Sequence, residues 1–451
     1  MKSFNTFNEA KEETKIKLVV LTADKKSETV ERLSDEMKKL GHLTYIVELE
    51  GSYIKNNKIY NLEDKDGFEI STKDTVVAAR GSITLKDSYL DLLSQLEKMK
   101  IMTINSRLCS EICADKYRTS LVLAQAGIPQ PKTSMISSGG NKEINYPEIA
   151  FKKLGTEFPV ILKTLRGAKG VGVLLVESMR SLESVTQLLY KLDEYSDLLL
   201  QEYIESDFDI RAHVLNGEVV GVMRRNVVKG DFRSNYSQGA TTQEYKLSDK
   251  ELEIVLNAAK AVGGYWVGVD FMPNKGSPLI IEVNSSAGTE GIEKTIGSSI
   301  NKVVAKVISN PDNWDKIKSV IGVREVFKFK MFGDLKCKLD TGNSVDALVI
   351  HGEEIEYNSS NTKVTYKLNG KKYTNNLIEM KPVRLNTGKV EQRPIILLDF
   401  TFDGIEHSGV RFTVDDRSEK LTEVLVNKEF MVDNNYIIDP SVRYTLGEAD
   451  E

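Results

Sequence analysis

Three oxygen-bearing side chains in the segment YWVGVDFMPNKGSPLIIEVNSS, residues 265–286, have the types and spacing of a metal site. Two apolar runs flank a PNKGS turn, which predicts a hairpin with Asp270 on its first strand and Glu282 and Asn284 on its second. Glu282 and Asn284 are two positions apart and therefore face the same side of a strand. Carboxylates within apolar strands are costly unless something compensates them, and Mg²⁺ takes such oxygen ligands. We therefore favour metal binding over a solvated sheet face or paired core carboxylates.

A second candidate site is the segment PVILKTLRGAKGVGVLLVES, residues 159–178. Lys163 precedes three glycines, Gly167, Gly170 and Gly172, and a strand is predicted on each side of them. The segment is not a Walker A loop, because GK[ST] is missing, and not a Rossmann fingerprint, because a strand follows the glycines. Such a hairpin can cover phosphates with backbone N–H groups while a lysine contacts phosphate oxygens. The alternative is an ordinary glycine-rich hairpin.

The pattern of strands and helices predicts three domains that would position these sites. Strands alternate with amphipathic helices in the first hundred residues, which predicts a doubly wound α/β domain over 15–104. Strands dominate the next segment, with helices near 181–193 and 248–262, and we assign 105–310 to a second domain. Short strands separated by Gly, Asn and Asp predict an all-β domain over 320–445.

Composition argues against several classes of function. The chain has 451 residues with 61 Lys and Arg against 66 Asp and Glu, so bulk positive charge for nucleic-acid binding is not expected. No apolar run approaches the roughly 18 residues of a membrane span, and no secretory signal is visible. Three cysteines rule out a disulfide scaffold, and no CxxC or HExxH pattern predicts zinc. We expect a cytoplasmic protein with no membrane partner.

Five blocks between about 105 and 308 occur in the order and with the spacing of the ATP-grasp superfamily: NSRLCSEICADKYRTSLVLAQAGIPQPKT, FPVILKTLRGAKGVGV, LLLQEYIESDFDIRAHV, KGDFRSNYSQGA and GVDFMPNKGSPLIIEVNSSAGTEGIEKT. The chain resembles, more specifically, the RimK-like amino-acid ligases. The segment before residue 105 is similar in type to a pre-ATP-grasp domain. The resemblance implies a fold that is α/β plus α+β, with an all-β domain at the end.

The resemblance also implies roles for individual residues. It assigns nucleotide binding to Lys116, Lys163, Gly167, Gly170, Gly172, Glu202, Tyr203, Asp209, Arg233 and Ser234. Glu202 and Tyr203 would hold adenine, and Arg233 and Asn235 would be catalytic where the phosphoryl group meets a carboxylate. The hairpin residues Asp270, Glu282 and Asn284 would bind two Mg²⁺ ions, with Mn²⁺ as a substitute. The alternatives are a surface role for Lys116, core packing for Tyr203, and an ion pair between Arg211 and a neighbouring acid.

The chemistry implied by the resemblance is amide formation. The family phosphorylates a carboxylate with ATP, and an amine then attacks the acyl phosphate and releases phosphate. The implied partners are an amino-acid donor, with glutamate favoured, and a carboxylate acceptor such as a protein or peptide C-terminus. The alternatives are a ligase for a small-molecule acceptor with a non-catalytic docking β domain, and a nucleotide-switched binding protein. The complete set of magnesium ligands argues against the last.

A third candidate site is the turn Asp340-Thr341-Gly342, which resembles the catalytic turn of retropepsin-like aspartic proteases. Residues 323–444 resemble the RimB-like branch, whose members are sometimes called ATP-dependent zinc proteases, through VEQRPIILLDF, VRFTVDDRSEKLTEVLVNKEF and IIDPSVRY. An aspartic peptidase needs two carboxylates that share a proton. The chain has one DTG, so two chains would each donate a catalytic Asp340, and we expect a homo-oligomer that is at least a dimer. The alternative is that Asp340 stabilises a turn in which Gly342 supplies an unusual φ.

Overall fold

A computed structural model of the protein describes residues 15–48, 50–61, 64–81, 86–137, 144–167, 172–227, 241–274, 277–314, 319–343, 345–384 and 388–447. The chain divides into two compact units, residues 1–315 and 316–451. The further division of the first unit near residue 105 stays a prediction. Within the described ranges, no helix combines the length and the apolar character needed to cross a bilayer.

The first unit begins with a parallel sheet of four strands in the order β2-β1-β6-β7. Helix α1 covers one face of the sheet with Leu33 and Met37. Helix α2 covers the opposite face with Leu93 and Leu96. This two-sided burial explains why the strands read as continuous apolar runs. The elements are β1 (Lys17–Thr22), α1 (Glu28–Lys39), β2 (Leu43–Glu48), β3 (Tyr53–Lys55), β4 (Lys58–Tyr60), β5 (Phe68–Glu69), β6 (Thr75–Arg80), α2 (Asp87–Lys98) and β7 (Met102–Ile104).

Two antiparallel sheets follow in the same unit, in the orders β10-β9-β11-β8 and β14-β13-β12-β15-β16. Helix α7 begins with a capping box between Ser248 and Glu251 and packs on one face of the five-stranded sheet. The opposite face carries the polar side chains. The elements are α3 (Arg107–Ala114), α4 (Lys116–Gln125), β8 (Thr133–Ile136), α5 (Tyr146–Leu154), β9 (Val160–Thr164), β10 (Val173–Val176), α6 (Met179–Leu192), β11 (Leu198–Glu202), β12 (Phe208–Leu215), β13 (Glu218–Asn226), β14 (Thr242–Glu244), α7 (Asp249–Ala261), β15 (Trp266–Met272), β16 (Leu279–Asn284), α8 (Glu290–Ile296), α9 (Ile300–Ile308) and a 3₁₀ turn at Pro311–Asn313.

The second unit is built mainly of strands, as the sequence predicts. Its largest sheet has the order β18-β19-β27-β20-β26-β25-β24, and β18 also pairs with β25, so the sheet curls back on itself. Strand β27 lies between β19 and β20, parallel to the first and antiparallel to the second. The elements are β17 (Ser319–Gly322), β18 (Arg324–Phe329), β19 (Gly333–Leu339), β20 (Leu348–His351), β21 (Glu353–Tyr357), β22 (Lys363–Leu368), β23 (Lys371–Asn376), β24 (Glu379–Arg384), β25 (Val390–Phe402), β26 (Ile405–Asp415), β27 (Val424–Val426), α10 (Lys428–Asp433) and β28 (Tyr436–Asp439).

A single buried amide joins the parallel sheet to the five-stranded sheet. Asn105, directly after β7, has no exposed surface. Its Nδ2 donates to the backbone oxygens of Trp266 and Ser285, each at 2.7 Å. Its Oδ1 accepts from the backbone N–H groups of Tyr265 and Trp266, each at 2.8 Å. All the hydrogen-bonding capacity of this buried side chain is used in holding the start of β15 and the residue after β16.

We predict that Asn105→Ala lowers the free energy of unfolding of the first unit by about 3 kcal/mol or more, because buried backbone groups lose their partners. Both tryptophans of the chain, Trp266 and Trp314, lie in this unit, so urea unfolding followed by tryptophan fluorescence reports on it. The matched control is Asn145→Ala, which removes the exposed N-cap of α5 and costs about 1 kcal/mol. Equal losses from the two substitutions would contradict the prediction.

Candidate active site

The three predicted metal ligands lie side by side on the polar face of the β15–β16 hairpin. Asp270 pairs with Glu282 across the two strands, and Gly268 pairs with Asn284. The Asn284 amide nitrogen lies 3.5 Å from Asp270 Oδ2. Alternate residues of β15, such as Val269, point to the apolar core beneath α7. The structure therefore brings these three side chains together, as the hairpin pattern predicts, and their binding of metal stays a prediction.

Two arginines, Arg211 and Arg225, hold Asp270 in place. Arg211 binds both of its carboxylate oxygens, at 2.6 Å from Nε and 2.5 Å from the terminal nitrogen. Arg225 approaches Oδ2 at 3.1 Å and also forms a two-pronged ion pair with Asp209 at 2.6 and 2.8 Å. Arg211 therefore forms an ion pair with an acid, which is the alternative that the sequence analysis gives for this residue. The Asp209 carboxylate is engaged by Arg225, and its contact with a nucleotide stays a prediction.

The electrostatics of this cluster favour an ionised Asp270. Burial alone would raise the pKa of Asp270, but Arg211 and Arg225 outweigh burial and lower it to about 2. A carboxylate oxygen offers about two lone-pair positions. Asp270 Oδ2 is approached by both arginines and by the Asn284 amide nitrogen, whereas Oδ1 accepts only from Arg211 Nε. One position on Oδ1 therefore remains for a cation beside Glu282. This set of two carboxylates and one amide oxygen fits Mg²⁺.

A cleft next to the hairpin contains two lysines that the sequence assigns to phosphate binding. Lys163, on β9, is 8% exposed, and its Nζ donates to Gln201 Oε1 at 2.6 Å. Lys116 Nζ lies 3.3 Å from the backbone oxygen of Gly167. Both lysines line the cleft together with Glu282. The structure thus places two cations and a predicted metal ligand around one space.

The charge state of Lys163 is sensitive to its surroundings. Burial lowers the pKa of Lys163 to about 8, while Glu282 acts to raise it and Lys116 to lower it further. At neutral pH the side chain is mostly protonated and can donate to an anion. Above about pH 8 the neutral amine prevails, and that attraction is lost.

Glycine is required at one position of the predicted phosphate loop. Gly172 has a φ of +77°, and an added Cβ would lie 2.3 Å from Thr164 Oγ1. A side chain at this position would therefore clash across the β9–β10 hairpin. Gly170, Arg233, Ser234 and Asn235, which the sequence analysis also assigns to the site, lie outside the described residues.

The predicted adenine-binding residues lie where β11 ends. The Glu202 carboxylate accepts from the backbone N–H of Lys132 at 2.7 Å, and the Glu202 N–H donates to the Lys132 backbone oxygen at 3.0 Å. Tyr203 follows and is half-buried. Glu202 thus ties the end of β11 to the segment before β8, and the adenine contact of both residues stays a prediction.

Three residues that sequence reasoning did not select belong to the site. Arg225 completes the ion network, and Gln201 accepts the Lys163 hydrogen bond. Cys113 on α3 lies near Glu282. The pKa of the Cys113 thiol is raised by a hydrogen bond with Cys109, by burial, and by the negative charges of Cys109 and Glu282. The signal for Arg225 was available, because the Asn-Gly pair at 216–217 marks the turn of the hairpin that carries it.

In the second unit, Asp340 lies in a half-exposed turn after β19. Its Oδ1 accepts from the backbone N–H of Gly342 at 3.0 Å, and its backbone N–H donates to Val426 at 3.0 Å. Asn427 clamps the same loop, since its Nδ2 donates to the Val345 oxygen at 2.6 Å. Asp340 thus stabilises the turn, as the alternative proposes, but Gly342 does not have the left-handed φ that the same alternative gives it. The catalytic role of Asp340 stays a prediction.

The second unit also groups His351, Glu353 and Asp416, whose potential ligand atoms lie within 4.8 Å of one another. His351 Nδ1 accepts the backbone N–H of Arg417 at 2.9 Å. A neutral ring therefore carries its proton on Nε2, which lies 3.5 Å from Glu353 Oε1. A metal at Nε2 would have to displace that proton, so this arrangement favours a contact between the Nε2–H group and Glu353 over a metal site.

Comparison with known proteins connects the first unit to one family of enzymes. A family model described as "RimK-like ATP-grasp domain" matches residues 113–308. The "Probable alpha-L-glutamate ligase" of Coxiella burnetii (strain RSA 493 / Nine Mile phase I) is 32% identical over 296 residues, 65% of this chain and 95% of the relative. The "Probable alpha-L-glutamate ligase 2" of Shewanella sp. (strain W3-18-1) is 30% identical over 309 residues, 68% of this chain and 98% of the relative.

Solved structures show the same fold. A RimK domain ATP-grasp protein from Sphaerobacter thermophilus DSM 20745 superposes with a TM-score of 0.50 at 16% identity, covering 64% of this chain and 98% of its own. D-cycloserine synthetase also gives a TM-score of 0.50, at 14% identity, covering 65% of this chain and 98% of its own. At these identities the similarity concerns the fold alone.

We predict that Lys163→Ala weakens nucleotide binding by about tenfold or more, because a hydrogen-bonded charge is lost. In the wild type, affinity falls as the pH rises through about 8, since Lys163 loses its proton there, and Lys163→Arg removes this step. Calorimetric titration with a non-hydrolysable ATP analogue measures both effects. Lys153, exposed on α5, provides the control Lys153→Ala. A flat pH profile, or equal losses at both lysines, would refute the assignment.

Proposed function

The chain belongs to the RimK-like ATP-grasp family of ligases, and from this premise we propose that it joins an amino acid, with glutamate favoured, to a carboxylate through an acyl phosphate. The predicted ATP-grasp fold is confirmed by this membership and by the solved neighbours. The amino acid and carboxylate substrate classes follow from the glutamate ligase relatives. We propose a protein or peptide C-terminus as the acceptor, with a small molecule as the alternative.

One observation carries this proposal: Lys116, Lys163 and Glu282 line a single cleft, and Glu282 lies directly opposite Asp270. Phosphoryl transfer from ATP requires cations around the phosphates and carboxylates that hold metal ions. A protein that binds only the phosphates would need the lysines but no pair of carboxylates such as Glu282 and Asp270 beside them. The arrangement therefore favours an enzyme over a nucleotide-switched binder.

Each residue in and next to the cleft would have a separate role in the reaction. Lys163 and Lys116 would donate to phosphate oxygens, and Arg211 would keep Asp270 ionised for a metal. Bound Mg²⁺ would neutralise negative charge on the transferred phosphoryl group. The acceptor carboxylate attacks phosphorus and releases ADP. The amine then forms the amide, loses a proton and releases phosphate, so the protein need not supply a covalent nucleophile.

The proposal has a direct test in Glu282→Gln, which removes one metal-binding charge and keeps the side-chain size. We expect a loss of amine-dependent ADP release by about a hundredfold or more. The unfolding transition should be nearly unchanged, because no arginine in the described part of the chain pairs with Glu282. ADP release is measured with Mg²⁺, single amino acids and peptides ending in glutamate, and intact mass identifies the product.

Glu253→Gln, at an exposed position on α7, is the control and should keep full activity. Undiminished turnover of Glu282→Gln at saturating ATP and Mg²⁺ would refute the metal assignment. ADP release that is independent of any amine in the wild type would refute the ligase.

We further propose that the second unit is a retropepsin-like domain that pairs two Asp340 carboxylates, and that it trims the ligated product. The observation that favours this is the strand arrangement around Asp340. Strands β19 and β20 flank β27, and Asp340 lies in the connection between β19 and β20. Helix α10 follows β27 directly, and the Lys428 N–H at its start donates to the Asn343 oxygen at 2.8 Å. The turn is thus held by hydrogen bonds to the junction of β27 and α10, and a catalytic loop needs such support.

We predict that Asp340→Asn abolishes cleavage of acidic or amino-acid-extended tails and leaves ligation intact, because ligation uses other carboxylates. Two adjacent Asp340 side chains would share one proton, and a two-fold interface would present the same patch from each chain. Peptide cleavage is followed by mass spectrometry, with Asp334→Asn, an exposed acid on β19, as the control. Cleavage that survives Asp340→Asn would contradict the assignment.

A further inference from the structure

Arg80 occupies the position in the first unit where sheets of this kind bind ligands. Strands β1 and β6 are parallel neighbours whose last residues, Thr22 and Arg80, are register partners. The sheet order changes direction here, because the chain runs from β1 outward to β2 and later returns to the other side of β1 at β6. In open α/β sheets, ligands bind beyond the carboxyl ends of strands at such a switch point.

Among the described residues no carboxylate forms an ion pair with Arg80, although Glu290 is close enough to act to raise its pKa. The side chain is 2% exposed, and its guanidinium lies 3.8 Å from the centre of the Trp266 ring. It donates to the backbone oxygen of Ala287, and its Nε has no hydrogen-bond partner among the residues that the structure describes. Burial lowers the pKa of Arg80 to about 10, which leaves the group charged at neutral pH.

The two other arginines of this region show what a buried guanidinium normally requires. Arg211 and Arg225 each form two-pronged ion pairs with an aspartate, and burying a charge without such a partner is costly. His213 does not help, because burial and the nearby Arg211 and Arg80 lower its pKa to about 3, so that the ring is neutral. Neither ring nitrogen of His213 has a hydrogen-bond partner in the described ranges of the chain. The positive charge of Arg80 is therefore available to an anion.

Arg80 also lies beside the β15–β16 hairpin, which carries the three predicted metal ligands. The next residue, Gly81, donates its N–H to Ser286 Oγ at 2.6 Å, and Arg80 itself binds Ala287. Ser286 and Ala287 follow Asn284, the last residue of β16, by two and three positions. A ligand group held by Arg80 would consequently lie next to the residues that we assign to phosphoryl transfer.

We propose that Arg80 binds a carboxylate of the amino acid whose amine attacks the acyl phosphate. This assignment rests on the proposed ligase function, and the substrate carboxylate would be the anionic partner of Arg80. A guanidinium recognises a carboxylate through paired N–H donors, and in glutamate the amine is close to both the α-carboxylate and the side-chain carboxylate. Holding one of them would aim the amine at the carbonyl carbon, where the new C–N bond forms as the C–O bond to phosphate breaks.

The wild-type enzyme provides the first test, through amine-dependent ADP release with glutamate, its α-amide isoglutamine and its γ-amide glutamine. The amide that replaces the bound carboxylate should raise KM by about tenfold or more, and its identity shows which carboxylate Arg80 holds. Equal KM values for all three compounds would overturn the assignment. Absence of ADP release with every amine would instead refute the ligase itself.

The second test uses Arg80→Gln with Arg180→Gln, an exposed arginine on α6, as the control. In Arg80→Gln the KM for glutamate should rise about tenfold or more, with a smaller change in kcat. It should then equal the KM for the amide that binds the wild-type enzyme more weakly than glutamate does. Arg80→Lys, which keeps the charge, should restore part of the preference. If Arg80→Gln lowers turnover of all three compounds by the same factor and keeps their KM ratios, Arg80 only holds the Ala287 loop.

Discussion

The ion network centred on Asp270 is the interaction on which the active site of this chain depends. Arg211 and Arg225 keep Asp270 ionised in a buried position, and Asp209 balances the second arginine. Burying four charges is tolerable only when each is paired and hydrogen-bonded. Because all four belong to adjacent strands of one sheet, their pairing fixes the polar face that carries Glu282 and turns it toward the lysine cleft.

The loop after β16 connects this face to the parallel sheet. Asn105 binds Ser285, Gly81 binds Ser286, and Thr29 lies 3.2 Å from Thr289 through their hydroxyls. The segment that follows β16 is thus held by three separate positions of the first hundred or so residues. A substitution in the parallel sheet can therefore change the geometry of the β15–β16 hairpin without touching it.

The sequence predicted those features that depend on local periodicity. Glu282 and Asn284 could be placed on one face because they are two positions apart on one predicted strand, and Asp270 could be placed on the other strand of the hairpin. The ion pairs of Asp270 could not be predicted from the sequence, because they depend on the pairing of β12 with β13 and β15, and β15 is distant from the other two in sequence. Arg80 was missed for the same reason, since only the folded chain shows that Trp266 and the Ala287 loop surround it. The alternative in which Gly342 supplies an unusual φ is not supported, because a DTG pattern does not determine φ.

The most direct test of acyl phosphate formation follows the oxygen atom that this chemistry transfers. With a peptide whose C-terminal carboxylate carries ¹⁸O, the attacking oxygen becomes the bridge to phosphorus and leaves with it when the amine forms the amide. Mass analysis of the released phosphate should therefore show one ¹⁸O for each amide formed by the wild type. Amide formation with unlabelled phosphate would contradict the account, because the carboxylate would then have been activated by another route.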